Sequence, residues 1–237
     1  PLLCPQGPGP GAAGMKQNAL RDLLFPPKCM LCRRLLSPEE RAAEICGDCR
    51  TRVLLPEASP REDPSGGFDR ALAALWYEGS ARQALHGLKY YEKQGYARPL
   101  SRIMVYALDK RLGGDYDLVT FVPTNPGTQR RRGYNQAELL ARAVAQRLAL
   151  PCVPTLKKNR ATQAMHGLTP AQRRDNVRDA YVLTVPGEVL LGKRVLLVDD
   201  ILTTGATLSE CGRALKAGGA AFVAGLCAAS PRKGSAV

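Results

Sequence analysis

Val195-Leu196-Leu197-Val198-Asp199-Asp200-Ile201-Leu202-Thr203-Thr204-Gly205-Ala206-Thr207-Leu208 is the stretch whose reading decides the fold. Val195 to Val198 are apolar without alternation, the pattern of a strand covered on both faces of a parallel sheet, where neither face meets water. Asp199 and Asp200 stand at its C-terminal end, and a short run of hydroxyls and glycine follows. Helical spacing then begins, with Leu208, Cys211 and Leu215 on one face and Gly218-Gly219 as the stop. Strand, loop and helix in that order put the loop where ligands of open α/β sheets collect, beside a helix N-terminus that attracts anions. Thr203, Thr204, Gly205, Ala206 and Thr207 form a candidate phosphate loop, in which Gly205 permits close backbone approach and the threonines supply hydroxyls. Asp199 and Asp200 are acceptors for vicinal ribose hydroxyls or hydrated Mg²⁺. The alternative is a generic strand followed by a capped helix, since Asp and Thr are also good N-caps.

The same stretch resembles the phosphoribosyl-pyrophosphate signature of the type I phosphoribosyltransferases, in which an apolar strand runs into paired acids and a Thr-Thr-Gly-x-Thr loop. All those elements are present in order and without gaps. The resemblance implies a parallel α/β sheet flanked by helices, phosphoribosyl pyrophosphate with Mg²⁺ as ligand, and Asp199 and Asp200 as the catalytic pair.

Upstream, Asp117 to Val122 reads as a second strand, and it too runs into a distinctive loop, Pro123-Thr124-Asn125-Pro126-Gly127-Thr128-Gln129-Arg130-Arg131-Arg132-Gly133-Tyr134-Asn135-Gln136. Arg130, Arg131 and Arg132 carry forked donors matched to pyrophosphate oxygens, which makes this a candidate pyrophosphate loop. In type I enzymes the corresponding loop often contains a strained peptide, here expected at Thr124-Asn125. Ala137 to Leu148 follows as a helix, with Leu140, Val144 and Leu148 on one face, and Pro151 to Leu156 returns towards the sheet. The segment from Lys157 to Val177 mixes turn formers with basic residues and reads as a mobile hood over the ligand. Before all of these, Ala71 to Tyr77 is a strand candidate, Ser80 caps a helix reaching about Lys89, and Arg98 to Leu112 is another helix.

Cys29-Met30-Leu31-Cys32 and Cys46-Gly47-Asp48-Cys49 are two CxxC knuckles with thirteen residues between them, a spacing that gathers four thiolates around one tetrahedral Zn²⁺. A redox CxxC pair and unconnected free cysteines are the competing readings. With all four positions taken by sulfur, such a zinc is structural, because a catalytic zinc keeps an open position for water.

The net charge of the 237 residues is +13, and it is unevenly placed. Between Thr128 and Arg178 there are eleven Lys or Arg and only two acids, Glu138 and Asp175. Such a field favours polyanionic partners or phosphate-rich ligands, with a plain solvated basic face as the alternative. Lys157, Lys158, Arg160, Arg173, Arg174 and Arg178 are the candidates for nucleic-acid contact. No run approaches the ~18 consecutive apolar residues of a membrane helix, and no secretory signal pattern is present, so a cytoplasmic protein without membrane insertion is expected.

Taken together, the double CxxC, the Arg-Gly-Tyr-Asn-Gln loop opening a helix and the Asp-Asp-Ile-Leu-Thr-Thr-Gly-Ala-Thr stretch resemble the ComF family of competence and DNA-uptake proteins. Leu23-Leu24-Phe25-Pro26-Pro27, Leu88-Lys89-Tyr90, Arg160 with Thr162-Gln163, and Arg174-Asp175-Asn176-Val177 extend the likeness across Leu20 to Ala229. It implies a zinc-containing phosphoribosyltransferase-like protein that assists natural transformation, handles single-stranded DNA, and works with DNA-uptake and recombination proteins such as the competence helicase. An active phosphoribosyltransferase with an unknown nucleophilic acceptor, and a non-catalytic partner-binding scaffold, remain the alternatives. The expected organisation is a disordered stretch or extension over 1–17, a zinc ribbon over 18–55, a Pro/Gly-rich linker over 56–67, the phosphoribosyltransferase-like domain over 68–231 and a tail over 232–237.

Overall fold

Hydrophobic burial centres on Val195 to Val198, none of which retains any exposure. The computed structural model describes residues 25–41, 44–52, 60–88, 95–160, 162 and 168–232. The extension 1–17, most of the Leu20–Phe25 run, 53–59 of the linker, Lys89, Tyr90, Gln163 and 233–237 of the tail lie outside these residues.

Numbered along the chain, the strands are β1 (Arg70–Trp76), β2 (Leu118–Phe121), β3 (Leu156–Lys158), β4 (Tyr181–Leu183), β5 (Arg194–Ile201) and β6 (Phe222–Ser230). The helices are α1 (Pro38–Arg41), α2 (Gly47–Arg52), α3 (Gly79–Gly87), α4 (Ala97–Arg111), α5 (Pro126–Arg132), α6 (Gln136–Leu148), α7 (Pro170–Val177) and α8 (Ala206–Ala217). Four strands form one parallel sheet in the order β1-β6-β5-β2, and β3 pairs antiparallel with β4 in a separate ribbon. β5 is held on both sides, with Val195 opposite Leu118 of β2 and Val223 of β6. Helices α4 and α6 pack on each other and across the sheet, while α8 packs on β5, β6 and β4. Both faces of β5 are therefore covered, which is why its sequence does not alternate.

The expected helices form with small shifts that their caps explain. Asn135 begins α6, its side-chain oxygen accepting from Ala137 N at 3.0 Å. Ser80 does not cap α3, which starts after Glu78 with Ser80 inside its first turn. Leu208, Cys211 and Leu215 are all buried on α8, which ends at Gly218. Pro151 to Leu156 meets the sheet only briefly, through one parallel bridge between Cys152 and Val119, supported inside by a 2.7 Å hydroxyl pair between buried Thr120 and Thr155.

From Pro60 onward the stretch expected as a linker is bonded into the sheet domain. Arg61 exchanges two backbone hydrogen bonds with Ala71 of β1, at 2.8 and 2.7 Å. Asp63 organises the turn that follows, accepting from Ser65 N at 3.0 Å and Gly67 N at 2.9 Å.

The two CxxC knuckles converge as their spacing requires. The sulfurs of Cys29, Cys32, Cys46 and Cys49 all lie within 4.8 Å of one another, and Cys32 Sγ is 3.6 Å from Cys46 Sγ. Tetrahedral zinc with Zn–S bonds of about 2.3 Å sets sulfurs about 3.8 Å apart, so the four thiols fit a structural zinc. Glu40 ties the knuckles together: Oε1 accepts from Arg34 Nη2 at 2.8 Å and from Gly47 N at 2.6 Å, and Oε2 from Ser37 N at 3.0 Å. Those donors hold its carboxyl below the usual range, the Gly47 N–H foremost. Arg33 reaches from the first knuckle to the Tyr96 hydroxyl at the start of α4, which seats the module on the sheet domain. So small a module has little core of its own, and when bound the metal supplies folding free energy. Elemental analysis of the purified protein is expected to find one zinc per chain. A chelator is expected to unfold residues 28–52 while leaving the parallel sheet intact, read as loss of exchange protection confined to that segment; a metal-free protein protected throughout contradicts this.

Candidate functional site

Three segments end at the carboxyl side of the sheet and enclose a cleft of about 400 Å³. Asp199 and Asp200, the last polar residues of β5, form its floor with Thr207 in the first turn of α8. The run leaving β2 forms one wall through Val122, Pro123, Thr124, Asn125 and Thr128, continuing into Asn135, Gln136 and Ala137 at the head of α6. Lys158 of β3, Thr162 and Tyr181 of β4 complete the lining of the cleft.

The acid pair is locally organised. Asp200 N donates to Asp199 Oδ1 at 2.8 Å. Burial, and then the neighbouring Asp200 charge, push the Asp199 carboxyl well above the usual carboxylate range. Behind them the chain turns through Leu202, whose N–H donates to Ala229 O of β6 at 2.8 Å. Thr204 Oγ1 accepts from Ala206 N at 3.3 Å, and Gly205 adopts φ +85°, a left-handed conformation that favours glycine. The first N–H groups of α8 have no partner inside the helix; Ala206 N is taken by Thr204 Oγ1, and those of Thr207 and Leu208 remain for an anion. Of the five loop residues expected to bind phosphate, Thr207 lines the cleft; Thr203, Thr204, Gly205 and Ala206 form the turn that presents it.

The arginine loop differs from expectation. Asn125 caps a helix, its Oδ1 accepting from Gly127 N at 2.9 Å with Pro126 at the first helical position, and α5 runs to Arg132. Arg130 and Arg131 are exposed on its last turn, Arg132 bonds Gln136 Oε1 at 3.0 Å, and none of the three lines the cleft. Thr124, Asn125 and Thr128 do. The Thr124-Asn125 peptide is trans, and Asn125 has an ordinary extended backbone, φ −63° and ψ 131°. Buried Asn135 fixes the far end of the loop, its Nδ2 donating to Val122 O at 2.9 Å.

The basic segment divides. Lys158 enters the cleft, donating to Thr162 Oγ1 at 2.6 Å and lying 5.5 Å from the Tyr181 ring centroid. Burial lowers its pKa, and burial raises that of the Tyr181 phenol. Lys157, Arg160, Arg174 and Arg178 are exposed outside the cleft, and Arg173 is half-buried. Arg160 bonds the Arg178 carbonyl, Arg173 Nε the Leu168 carbonyl at 3.0 Å, and Arg178 Nη2 the Asp175 carboxylate at 3.1 Å. Among the described residues, the expected hood holds regular structure at both ends, β3 and α7, the latter started by a Thr169–Gln172 capping box.

Sequence reasoning assigned Lys158 to nucleic acid and passed over Thr128, Asn135, Gln136 and Tyr181. Asn135-Gln136 carried a readable signal as a helix start, whereas Tyr181 reaches the cleft only through the β3–β4 pairing, which no local pattern announces. A raised carboxyl pKa means that the native state binds the proton more tightly than the unfolded chain. Stability is then lost as pH climbs above the unfolded value of about 3.9 towards the native one. Asp199→Asn keeps the acceptor for Asp200 N and removes the charge. It is expected to raise Tm at neutral pH and flatten the decline of Tm with pH over that window; an unchanged Tm–pH curve contradicts this.

Against known proteins, residues 135–236 match the phosphoribosyl transferase domain model and residues 20–60 the double zinc ribbon domain model. The chain is 28% identical over 204 residues to the DNA utilization protein YhgH of Escherichia coli strain K12, covering 84% of this chain and 88% of that one. It is 29% identical over 179 residues to competence protein F of Haemophilus influenzae, covering 73% of each. Among solved structures, it aligns with glutamine phosphoribosylpyrophosphate amidotransferase from B. subtilis at 21% identity and a TM-score of 0.38, covering 59% of this chain and 28% of that much longer one. With a thiol cluster in the first matched region and the paired acids in the second, the chain is similar to the YhgH and competence F proteins and matches a double zinc ribbon followed by a phosphoribosyl transferase domain.

Proposed function

We propose that this competence-related, phosphoribosyltransferase-like protein binds phosphoribosyl pyrophosphate or a related phosphorylated ribose in the cleft, and offers its outer basic surface to single-stranded DNA during uptake. The observation that carries the first part is the meeting of Asp199, Asp200 and Thr207 with Thr124, Asn125 and Thr128 around one cleft. Asp199 and Asp200 accept from the ribose hydroxyls. Thr207 and the head of α8 take the 5-phosphate. Thr124, Asn125 and Thr128 offer hydroxyl and amide groups to the pyrophosphate, across from the Lys158 ammonium. The carboxylates are hard oxygen donors that fit Mg²⁺, which when bound neutralises pyrophosphate charge.

The same arrangement supports a second reading, transfer of the ribosyl group to a nucleophile. There the acid pair stabilises positive charge developing at the anomeric carbon while the β2 run orients the leaving group. Binding alone and binding with turnover share every residue named so far.

The second part rests on the exposed basic residues outside the cleft, Lys157, Arg160, Arg174 and Arg178, together with Arg130 and Arg131 on α5. The names of the relatives, DNA utilization protein and competence protein, support the same assignment.

Calorimetry with phosphoribosyl pyrophosphate and Mg²⁺ is expected to give saturable binding to the wild type. Loss of one charged or hydroxyl partner in Asp200→Asn or Thr207→Ala is expected to weaken it by about tenfold; equal affinity in all three proteins defeats the ligand assignment. Affinity for an unstructured single-stranded oligonucleotide is expected to fall steeply with salt. Each phosphate contact removed, as in Lys157→Ala or Arg174→Ala, lowers the log–log slope by about 0.7; affinity indifferent to salt defeats the DNA assignment.

A further inference from the structure

Arg61 lies between the zinc module and β1, in a stretch whose composition reads as a spacer, yet its guanidinium is committed to the site. Nη1 donates to the Thr203 carbonyl at 2.7 Å, and Nη2 to the Ser230 hydroxyl at the end of β6 at 3.0 Å. Its own backbone is fixed by the two bonds to Ala71. The residues after it press on the same region. A Cβ on Gly205 would stand 3.5 Å from the Phe68 ring, Ser65 Oγ lies 2.9 Å from Ser209 Oγ, and a Cβ on Gly67 would fall 2.2 Å from the Ser209 carbonyl oxygen. Arg61 to Phe68 therefore packs directly behind the Thr203–Thr207 turn and the first turns of α8.

We infer that Arg61 is a positioning residue for this turn, coupling the chain that leaves the zinc module to the phosphate end of the cleft. A trans peptide is planar, so its carbonyl and the next N–H point in opposite directions. Pinning the Thr203 carbonyl against Arg61 aims the Thr204 N–H away from Arg61. The guanidinium also leaves a fixed positive charge behind a loop that must attract an anion. Lysine cannot reproduce both bonds, because an ammonium lacks the planar fork that spans the Thr203 carbonyl and the Ser230 hydroxyl together.

The inference rests on the phosphate-site reading only for its ligand arm; the loop-ordering arm stands without it. Amide hydrogen exchange is to be measured on ligand-free wild type, Arg61→Ala and Arg61→Lys, alongside calorimetry with phosphoribosyl pyrophosphate and Mg²⁺. In Arg61→Ala the Ala206 and Ser209 amides, bonded to Thr204 Oγ1 and the Gly205 carbonyl, are expected to exchange roughly tenfold faster and affinity to fall about tenfold, while protection of β5 and β6 stays as in the wild type. Arg61→Lys is expected to fall between the two, and free guanidinium added to Arg61→Ala to restore part of the protection. Unchanged exchange at Ala206 and Ser209 in Arg61→Ala overturns the inference. If the alanine variant does not fold, unchanged exchange in Arg61→Lys overturns it equally. A wild type that binds no phosphoribosyl pyrophosphate defeats the ligand assignment alone, and the exchange comparison then decides the role of Arg61.

Discussion

Everything at the site depends on β5 being paired on both sides and covered on both faces. Val195 to Val198 carry no exposed surface, and burying each such side chain contributes roughly 1.5–3 kcal/mol. That anchorage lets the next residues be costly ones. Asp199 lies at the end of a buried strand, where desolvation and the neighbouring Asp200 charge oppose its ionisation, and pairing with β6 at Cys227 and Ala229 keeps this end of the strand in register. The strand bears the energetic cost of its own functional end.

The loops around the acids are held by side chains rather than by secondary structure. Asn135 closes the β2 run onto the head of α6 by bonding both Val122 O and Ala137 N, and Arg61 closes the β5 run onto β6 through Thr203 and Ser230. In each case a single polar side chain ties an irregular backbone to a neighbouring element at two points. The zinc module repeats the device with Glu40, whose carboxylate joins Ser37, Gly47 and Arg34 across the two knuckles.

The strand–loop–helix of the phosphate turn and the double CxxC were legible because each is encoded within a short span, by burial without alternation in one case and by spacing in the other. Features built from distant residues were not. The three arginines suggested anion donors and drew attention away from Asn125-Pro126, a cap followed by proline that starts α5 and turns Arg130 and Arg131 outward. Lys158 belongs to a basic run in sequence but to the cleft in space, because the three-residue pairing of β3 with β4 carries it beside Tyr181. Arg61 looked like a spacer residue because its partners lie 142 and 169 positions away.

The two single bridges flanking the sheet have a consequence for how this molecule behaves among its own copies. Cys152 occupies the outer side of β2 at Val119, and Arg61 occupies the outer side of β1 at Ala71. A parallel sheet with bare edge strands is a template for another chain, and its unpaired N–H and C=O rows invite edge-to-edge aggregation. Here each edge is blunted at one point by a neighbouring stretch of the same chain. The residues that trim the sheet's margins thus also work against intermolecular β-pairing, a safeguard that suits a strongly basic chain whose apolar strands must find each other across long sequence separations while folding.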